Sequence, residues 1–449
     1  MKNCLLIIAV LFIAQVSFSQ QQMTLQQCID YAMENNPSIK SAKSGVDMSE
    51  AKVGEYISSG LPQITANADL GNNYLIPTTF VPAQIFDPNA PEGELAPVQF
   101  GTTYTGRASI DLNQMIFSGS YFVGLKAAKT YTELSRKDLI QTEVDLLAAI
   151  KKAYYSVLVY QERDALVQKN YQRLDSLLRE TRLMYEGGFA EKIDVNRVQV
   201  QFNNISQAIK TSSTALEVSM KLLKFQMGMP ISNTITLTDN LQTIKFEVLN
   251  EDYKSGFNYN DRIEFSKLET NKALVELDIK NTKVQYLPTL DFYGNYGASY
   301  GTSVFSNFVS FGENWKTLGA FGIKLNVPIF DGLRKSKQIQ QKKFQLDQIE
   351  FSQELVKNQI NLEQEQSSLQ FANNLDALKA QEENMKLAEE VYNVTVIKYQ
   401  QGVGSNIEVI DADASFKEAQ TNYFSALYDA LISTVELEKA YGKLIKSTN

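Results

Sequence analysis

The chain has 449 residues, 44% hydrophobic and 21% charged, a composition typical of folded rather than disordered proteins. Its formal net charge of −8 argues against a nucleic-acid partner, which needs a basic stripe to neutralise phosphates. With no histidine, no P-loop and no paired-cysteine motif, the sequence offers no bond-making centre, no metal site and no cofactor, so it does not read as an enzyme.

The first element is an export signal over residues 1–19. Lys2 supplies its charge, Leu5 to Val16 its apolar run, and Ser17 and Ser19 the small residues before the cleavage point. The run is too short to anchor the chain, since a spanning helix needs about 20 apolar residues. Cys4 leaves with the signal. Cys28, at a predicted helix start, is then the only thiol and reads as a small buried residue.

Proline and glycine divide the mature chain. No proline lies between Pro97 and Pro230 or after Pro328, and no glycine between Gly124 and Gly187 or between Gly332 and Gly402. Both residues disfavour helix interiors, so their absence permits very long helices. Leu147, Ile150, Tyr154 and Val157, then Leu174, Leu177, Thr181 and Met184, step by three and four. So do Leu375 and Leu378, then Met385, Ala388 and Val391. These are coiled-coil seams. Each tract would reach about 100 Å at about 1.5 Å per residue, more than three times a bilayer's hydrocarbon thickness of about 30 Å.

The chain repeats itself. Tyr185 to Val195 matches Tyr399 to Val409 at an offset of 214, Ile116 to Gly119 matches Ile329 to Gly332 at 213, and Leu61-Pro62 matches Leu287-Pro288 at 226. The Pro-rich stretch Ile76–Pro97 accounts for the 13 extra residues of the first copy. One structural unit is therefore used twice. The first repeat, 20–228, is expected to hold a helix, strands 62–76 and 102–117 joined by a loop, a long helix 119–187 and a helix 190–228. A linking segment, 229–258, reads as a small side domain. The second repeat, 259–449, holds a helix, strands 288–301 and 317–330, a long helix 332–401 and a helix 405–443.

The strands rest on alternation. Ile64, Ala66, Ala68 and Leu70 alternate with Thr65, Asn67 and Asp69; Ala108, Ile110 and Leu112 with Arg107, Ser109 and Asp111; Leu290 and Phe292 with Asp291 and Tyr293; Phe321, Ile323 and Leu325 with Gly322 and Lys324. Each strand thus has one apolar face. Lengths of about ten residues suit a tilted membrane span, and Tyr74, Tyr104, Phe117, Tyr300, Trp315 and Phe330 near the ends suit interfacial girdles. Four strands cannot close a barrel, and open edges are not tolerated in lipid. Several copies must each contribute four; eight or twelve strands are both possible on this reasoning. Asp69, Arg107, Asp111, Asp291 and Lys324 would then line a wet lumen.

This pattern resembles the TolC-type outer-membrane efflux protein family across essentially the whole mature chain. The residues that carry the likeness are Asn36-Pro37-Ser38-Ile39 leading to Leu61-Pro62, and Arg262 to Phe265 leading to Leu287-Pro288. The strand-to-helix junctions Phe117-Ser118-Gly119 and Phe330-Asp331-Gly332 and the two Tyr-x-x-Gly tips complete it. The resemblance implies a mixed α and β membrane protein. A homotrimer would form a 12-stranded β-barrel in the outer membrane, continued by a coiled-coil tunnel in the periplasm. The tips Tyr185-Glu186-Gly187-Gly188 and Tyr399 to Gly404, including Gly402 and Val403, would dock a periplasmic adaptor. Through it they would reach an inner-membrane RND, ABC or MFS transporter.

Glu408 and Asp411, three apart on one helix face, read from the residues alone as acceptable carboxylates at a helix start. The resemblance implies instead that they project into the tunnel entrance, with Tyr399 and Asp194 in a closing latch. Gly404 stands where the latch's Arg would be, which implies a weaker or different closure. The expected function is passive efflux of small molecules. The alternatives are a duct for type I protein secretion or, from another class, a periplasmic coiled-coil rod without a pore.

Overall fold

The computed structural model describes residues 21–239, 241, 256–308 and 314–444. The expected signal at 1–19, residues 242–255 of the linking segment and residues 309–313 of the second strand-to-strand loop lie outside the described residues. The elements run β1 (Gln21–Met23), α1 (Leu25–Asn35), α2 (Pro37–Ser58), β2 (Gln63–Asn72), β3 (Thr78–Pro82), β4 (Leu95–Gln99), β5 (Tyr104–Phe117), α3 (Gly119–Glu186) and α4 (Lys192–Met227). After β6 (Ile235–Leu237) come α5 (Ile263–Val284), β7 (Thr289–Thr302), α6 (Phe305–Phe308), β8 (Lys316–Asn326), α7 (Arg334–Gln400) and α8 (Asn406–Ala440). The two proline- and glycine-free tracts lie in unbroken helices of 68 and 67 residues, the first of which also takes in Gly119 and Gly124 in its first turns.

The chain divides into two compact units. The sheet unit, Met48–Glu133 with Asn271–Ile349, contains a four-stranded antiparallel sheet in the order β2-β5-β7-β8. Its edge strands, β2 and β8, have no partner beyond β5 and β7 among the described residues. α2 stacks on the start of α3 through Tyr56 and Tyr121 at 5.9 Å, and Gln114 of β5 donates to the Gly60 carbonyl, just before β2, at 2.8 Å. β8 ends at Asn326 rather than at the expected 330, because Pro328 cannot donate to a ladder.

The Pro-rich stretch expected as plain loop holds a hairpin of its own, β3 against β4, with Phe80 opposite Pro97 and Pro82 opposite Leu95. A two-stranded ribbon leaves outward amide positions free on both strands, so proline is tolerated there.

The helical unit comprises the chain up to Asp47, Leu134–Thr270 and Glu350 onward. One apolar core gathers Cys28, Ile39, Leu147, Ile150, Tyr154, Val157, Leu223 and Met227. β1 pairs in parallel with β6, tying the start of the described chain to the linking segment. Asp239, just past β6, accepts from the Tyr154 hydroxyl at 2.7 Å and from the Leu25 amide at the start of α1 at 3.0 Å. A second core gathers Leu174, Leu177, Val198, Tyr392, Tyr399, Val409 and Phe416. In α7 the seam passes through Ala388, Tyr392 and Tyr399, while Val391, expected in it, is exposed.

The duplication extends into packing. α4 and α8 end at Gly228 and Gly442, 214 residues apart, both left-handed at φ 70° and 66°. Against each end sits the residue that opens the neighbouring segment. Asn36 donates its carboxamide to the Gln226 carbonyl at 2.7 Å, and Arg262 donates to the Ala440 carbonyl at 3.0 Å. Arg262 is buried and also pairs with Glu363 at 2.8 Å and Glu264 at 3.2 Å.

Candidate functional site

The register of the sheet decides which side chains share a face. Asp69 lies opposite Arg107, Arg107 opposite Ser299, Asp111 opposite Thr65 and Asn295, and Asp291 opposite Met115 and Lys324. Asp69, Arg107, Asp111, Asp291 and Lys324 therefore occupy one face, joined by Lys316 opposite Ser299. Asp111 is held in place by Asn67 Nδ2 at 2.7 Å and Ser109 Oγ at 3.1 Å. The other face carries Ile64, Leu70, Ile110, Tyr296, Phe321, Ile323 and Leu325, all exposed, Phe321 at 82%. Aromatic pairs mark both strand ends: Tyr300 stacks on Trp315 and Tyr104 meets Phe305 at one, and Phe117 meets Phe122 at the other.

At the far ends of the long helices the two tips are built alike. The Gly188 amide donates to the Tyr185 carbonyl at 3.1 Å and the Phe189 amide to the Met184 carbonyl at 2.8 Å. The Gly402 amide donates to the Tyr399 carbonyl and the Val403 amide to the Lys398 carbonyl, both at 3.0 Å. This is the Schellman closure of a helix C-terminus, and it needs a left-handed residue, here Gly188 (φ 78°) and Gly402 (φ 75°). Gly187 only leads into the turn. The closure thrusts the next side chain outward, leaving Phe189 86% and Val403 78% exposed.

The helices that leave the tips start differently. Asp194 accepts from the Glu191 amide at 3.2 Å and pairs with Arg197 at 3.4 Å, so its carboxylate is occupied within its own helix turn. Ser405 caps α8 by accepting from the Glu408 amide at 3.3 Å. The carboxylates of Glu408 and Asp411 face solvent, and neither has a hydrogen bond or ion pair among the described residues. Tyr185 is exposed, whereas its repeat equivalent Tyr399 is buried. Within one chain Tyr399 makes no bond to Asp194, and its hydroxyl has no hydrogen-bond partner among the described residues. At Gly404 a Cβ would lie 3.1 Å from both Lys398 Cβ and the Tyr399 nitrogen, so this tight turn leaves little room for the Arg.

Sequence reasoning missed a polar network that joins α3, α7 and α8 short of the tips. Arg173 of α3 lies between Tyr392 of α7 and Phe416 of α8, 4.7 Å and 5.0 Å from their ring centroids. Arg173 also donates to the Asn170 carboxamide, and Asn170 donates to Gln420 at 2.8 Å in a buried pair. Beside them Asp413, buried, is neutralised by Lys417 at 2.6 Å. Burial, with the charge of Asp413 adding to it, raises the Tyr392 phenol above its ordinary pKa. The signal was present as charged residues, Arg173 and Asp413, at positions of apolar seams.

No group of His, Cys, Asp and Glu among the described residues could hold a metal ion. No described helix is long and apolar enough to cross a membrane.

Comparison with known proteins converges on one group. The family model described as outer membrane efflux protein matches residues 28–221 and 265–443. The chain is 22% identical to the outer membrane protein TolC of Vibrio cholerae, over 94% of this chain and 91% of that protein. The open-state MtrE outer membrane channel of Neisseria gonorrhoeae superposes with a TM-score of 0.72 at 16% identity, covering 94% of this chain and 89% of that one. For the CmeC outer membrane channel of Campylobacter jejuni the TM-score is 0.71 at 15% identity, covering 93% and 85%.

Proposed function

Because the chain belongs to the outer membrane efflux protein family, we propose that it is the exit duct of a tripartite efflux system. As such it is an outer-membrane channel and not an enzyme. In this reading it passively conducts small molecules handed over by an inner-membrane transporter through a periplasmic adaptor.

The observation that carries the reading is the open sheet. It has an exposed apolar face, a charged opposite face and two unpaired edges. An edge in hydrocarbon must be paired, so other copies complete the ring. A small closed barrel takes about eight strands, and the family's homotrimer supplies twelve. The apolar face meets outer-membrane lipid and the charged face the lumen. Acids (Asp69, Asp111, Asp291) and bases (Arg107, Lys316, Lys324) balance in that lumen, so the barrel gives little preference for either sign of ion. Discrimination falls to the entrance, where copies of Glu408 and Asp411 form unpaired acidic rings that favour cations. Phe189 and Val403, thrust out by the two turns, are the anchors for the adaptor.

The test is conductance of the purified protein in planar bilayers. The wild type should favour cations, and the double variant Glu408→Ala with Asp411→Ala should lose most of that preference at unchanged trimer yield. Unchanged selectivity removes these residues from the entrance, and a protein that purifies as a soluble monomer without detergent removes the duct.

A further inference from the structure

The two ends of the four-stranded sheet differ in charge. α2 and α5 lead into β2 and β7, and β5 and β8 lead out to α3 and α7, so all four helices meet the antiparallel sheet at one end. The β2–β5 loop at the other end, residues 73–103, carries Asp87, Glu92 and Glu94 and no lysine or arginine. At the helical end α7 opens with Arg334, Lys335, Lys337, Lys342 and Lys343 and has no acid over residues 334–343. Its remaining residues, 344–400, hold ten acids and four cations. The equivalent start of α3, residues 121–130, has only Lys126 and Lys129.

Cations are unfavourable at a helix start, where the dipole is already positive, so this cluster calls for an anion. The chain supplies part of it. Lys335 is buried, pairs with Asp331 at 3.2 Å and lies over the Tyr286 ring, and Lys342 pairs with Asp278 at 2.7 Å. Arg334 and Lys337 are exposed, and neither has an ion pair among the described residues. They lie three apart on one helix face, close enough to share a phosphate. Just before them Ile329, Phe330 and Leu333 are all exposed, Ile329 at 93%. Leu333 stands at φ 64°, the only non-glycine residue at positive φ among the described residues, a costly conformation for a leucine. Outward apolar side chains beside cations without ion pairs match the two parts of a lipid, acyl chain and headgroup.

We propose that Arg334 and Lys337 bind the phosphate of an anionic phospholipid on the periplasmic side of the membrane, with Ile329, Phe330 and Leu333 set among its acyl chains. Arg334 offers a planar fork to the phosphate oxygens and Lys337 a point charge. Lys335, held by Asp331 and Tyr286, fixes the turn that presents them. The acidic loop at the other end repels such a headgroup, so the contact belongs to the helical end alone. This rests on the reading of the sheet as part of a lipid-embedded barrel, and it adds the class of lipid held at the barrel's helical rim.

The experiment titrates phosphatidylglycerol or phosphatidylcholine into the full-length protein in detergent and counts bound lipid by native mass spectrometry. The wild type should prefer phosphatidylglycerol by about tenfold, and Arg334→Gln and Lys337→Gln should each weaken that lipid about fivefold while leaving phosphatidylcholine unchanged. Lys379→Gln, the same change of charge further along α7, should alter neither. Equal affinity of the wild type for the two lipids, Gln variants that keep the preference, or an equal loss in Lys379→Gln overturns the proposal and leaves the duct standing. So does displacement of the lipid by millimolar inorganic phosphate, which assigns the cations to a free anion. So too does a Gln variant at 334 or 337 that falls apart into single chains whatever the lipid, which assigns them to a neighbouring copy. A wild-type protein that is a soluble monomer without detergent rejects the duct instead, while the same titration still decides what Arg334 and Lys337 bind.

Discussion

Four glycines share one backbone conformation and differ only in surroundings, which makes them a controlled experiment. Gly188, Gly402, Gly228 and Gly442 all lie at positive φ, between 66° and 78°. A side chain in the left-handed region costs about 1–2 kcal/mol by itself. Around Gly188 and Gly402 a Cβ meets nothing within 4 Å, so alanine there should cost only that amount. At Gly228 the Cβ would lie 2.8 Å from Asn36 Cα, and at Gly442 it would lie 2.5 Å from the Asp261 carbonyl oxygen. Backbone cannot swing aside as a long side chain can, and such overpacking adds about 1–3 kcal/mol. Separation also strains the Asn36 and Arg262 clamps beside those contacts. Alanine at Gly228 or Gly442 should therefore cost about 2–5 kcal/mol, against about 1–2 kcal/mol at the tips. Urea unfolding of the four detergent-solubilised variants, followed by circular dichroism, should give two well-separated pairs of midpoints. Four equal midpoints, or tip variants that are the less stable pair, would refute the assignment of Gly228 and Gly442 to close packing.

Two more outcomes are expected. Burial, helped by the charge of Asp239, pushes the Cys28 thiol up to about 12, so at pH 8 the nucleophilic thiolate is on the order of one molecule in ten thousand. Maleimide should label Cys28 only above the unfolding midpoint in urea, and rapid labelling of the folded protein would contradict its burial. Arg173→Lys keeps the charge but loses the planar stack on Tyr392 and Phe416, and should cost about 1–2 kcal/mol; an unchanged unfolding midpoint would remove the stack from the account of how α3, α7 and α8 are joined.

The long helices and the four sheet strands were legible because each obeys a single period over many residues. Helices α3 and α7 announce themselves through the absence of proline and glycine, and the sheet through alternation. The β3–β4 hairpin was not legible, because five prolines from Pro77 to Pro97 mask a ladder that needs only two strands. Val391 was placed in the seam although Tyr392 occupies it, since a run of apolar residues one position apart leaves the phase of a helix open.

At the tips, the glycine turns followed from their 214-residue echo, but the fate of Asp194 did not. A carboxylate at the third position of a helix can serve its own cap or a distant tyrosine, and only the geometry shows that Arg197 and the Glu191 amide hold it. Gly228 and Gly442 carry the same 214-residue offset and could have been read from it. The clamps beside them could not, since asparagine serves in one repeat and arginine in the other.

The bare borders of β2 and β8 also bear on how the protein is made. A lone copy arriving at the membrane would present two rows of unsatisfied amides and carbonyls beside an oily surface, the usual template for aggregation. On the proposal that other copies complete the ring, insertion and assembly would be one event, with a yield that rises steeply with the local number of copies. Dilute expression should accordingly favour degradation over insertion, whatever the intrinsic stability of the helices.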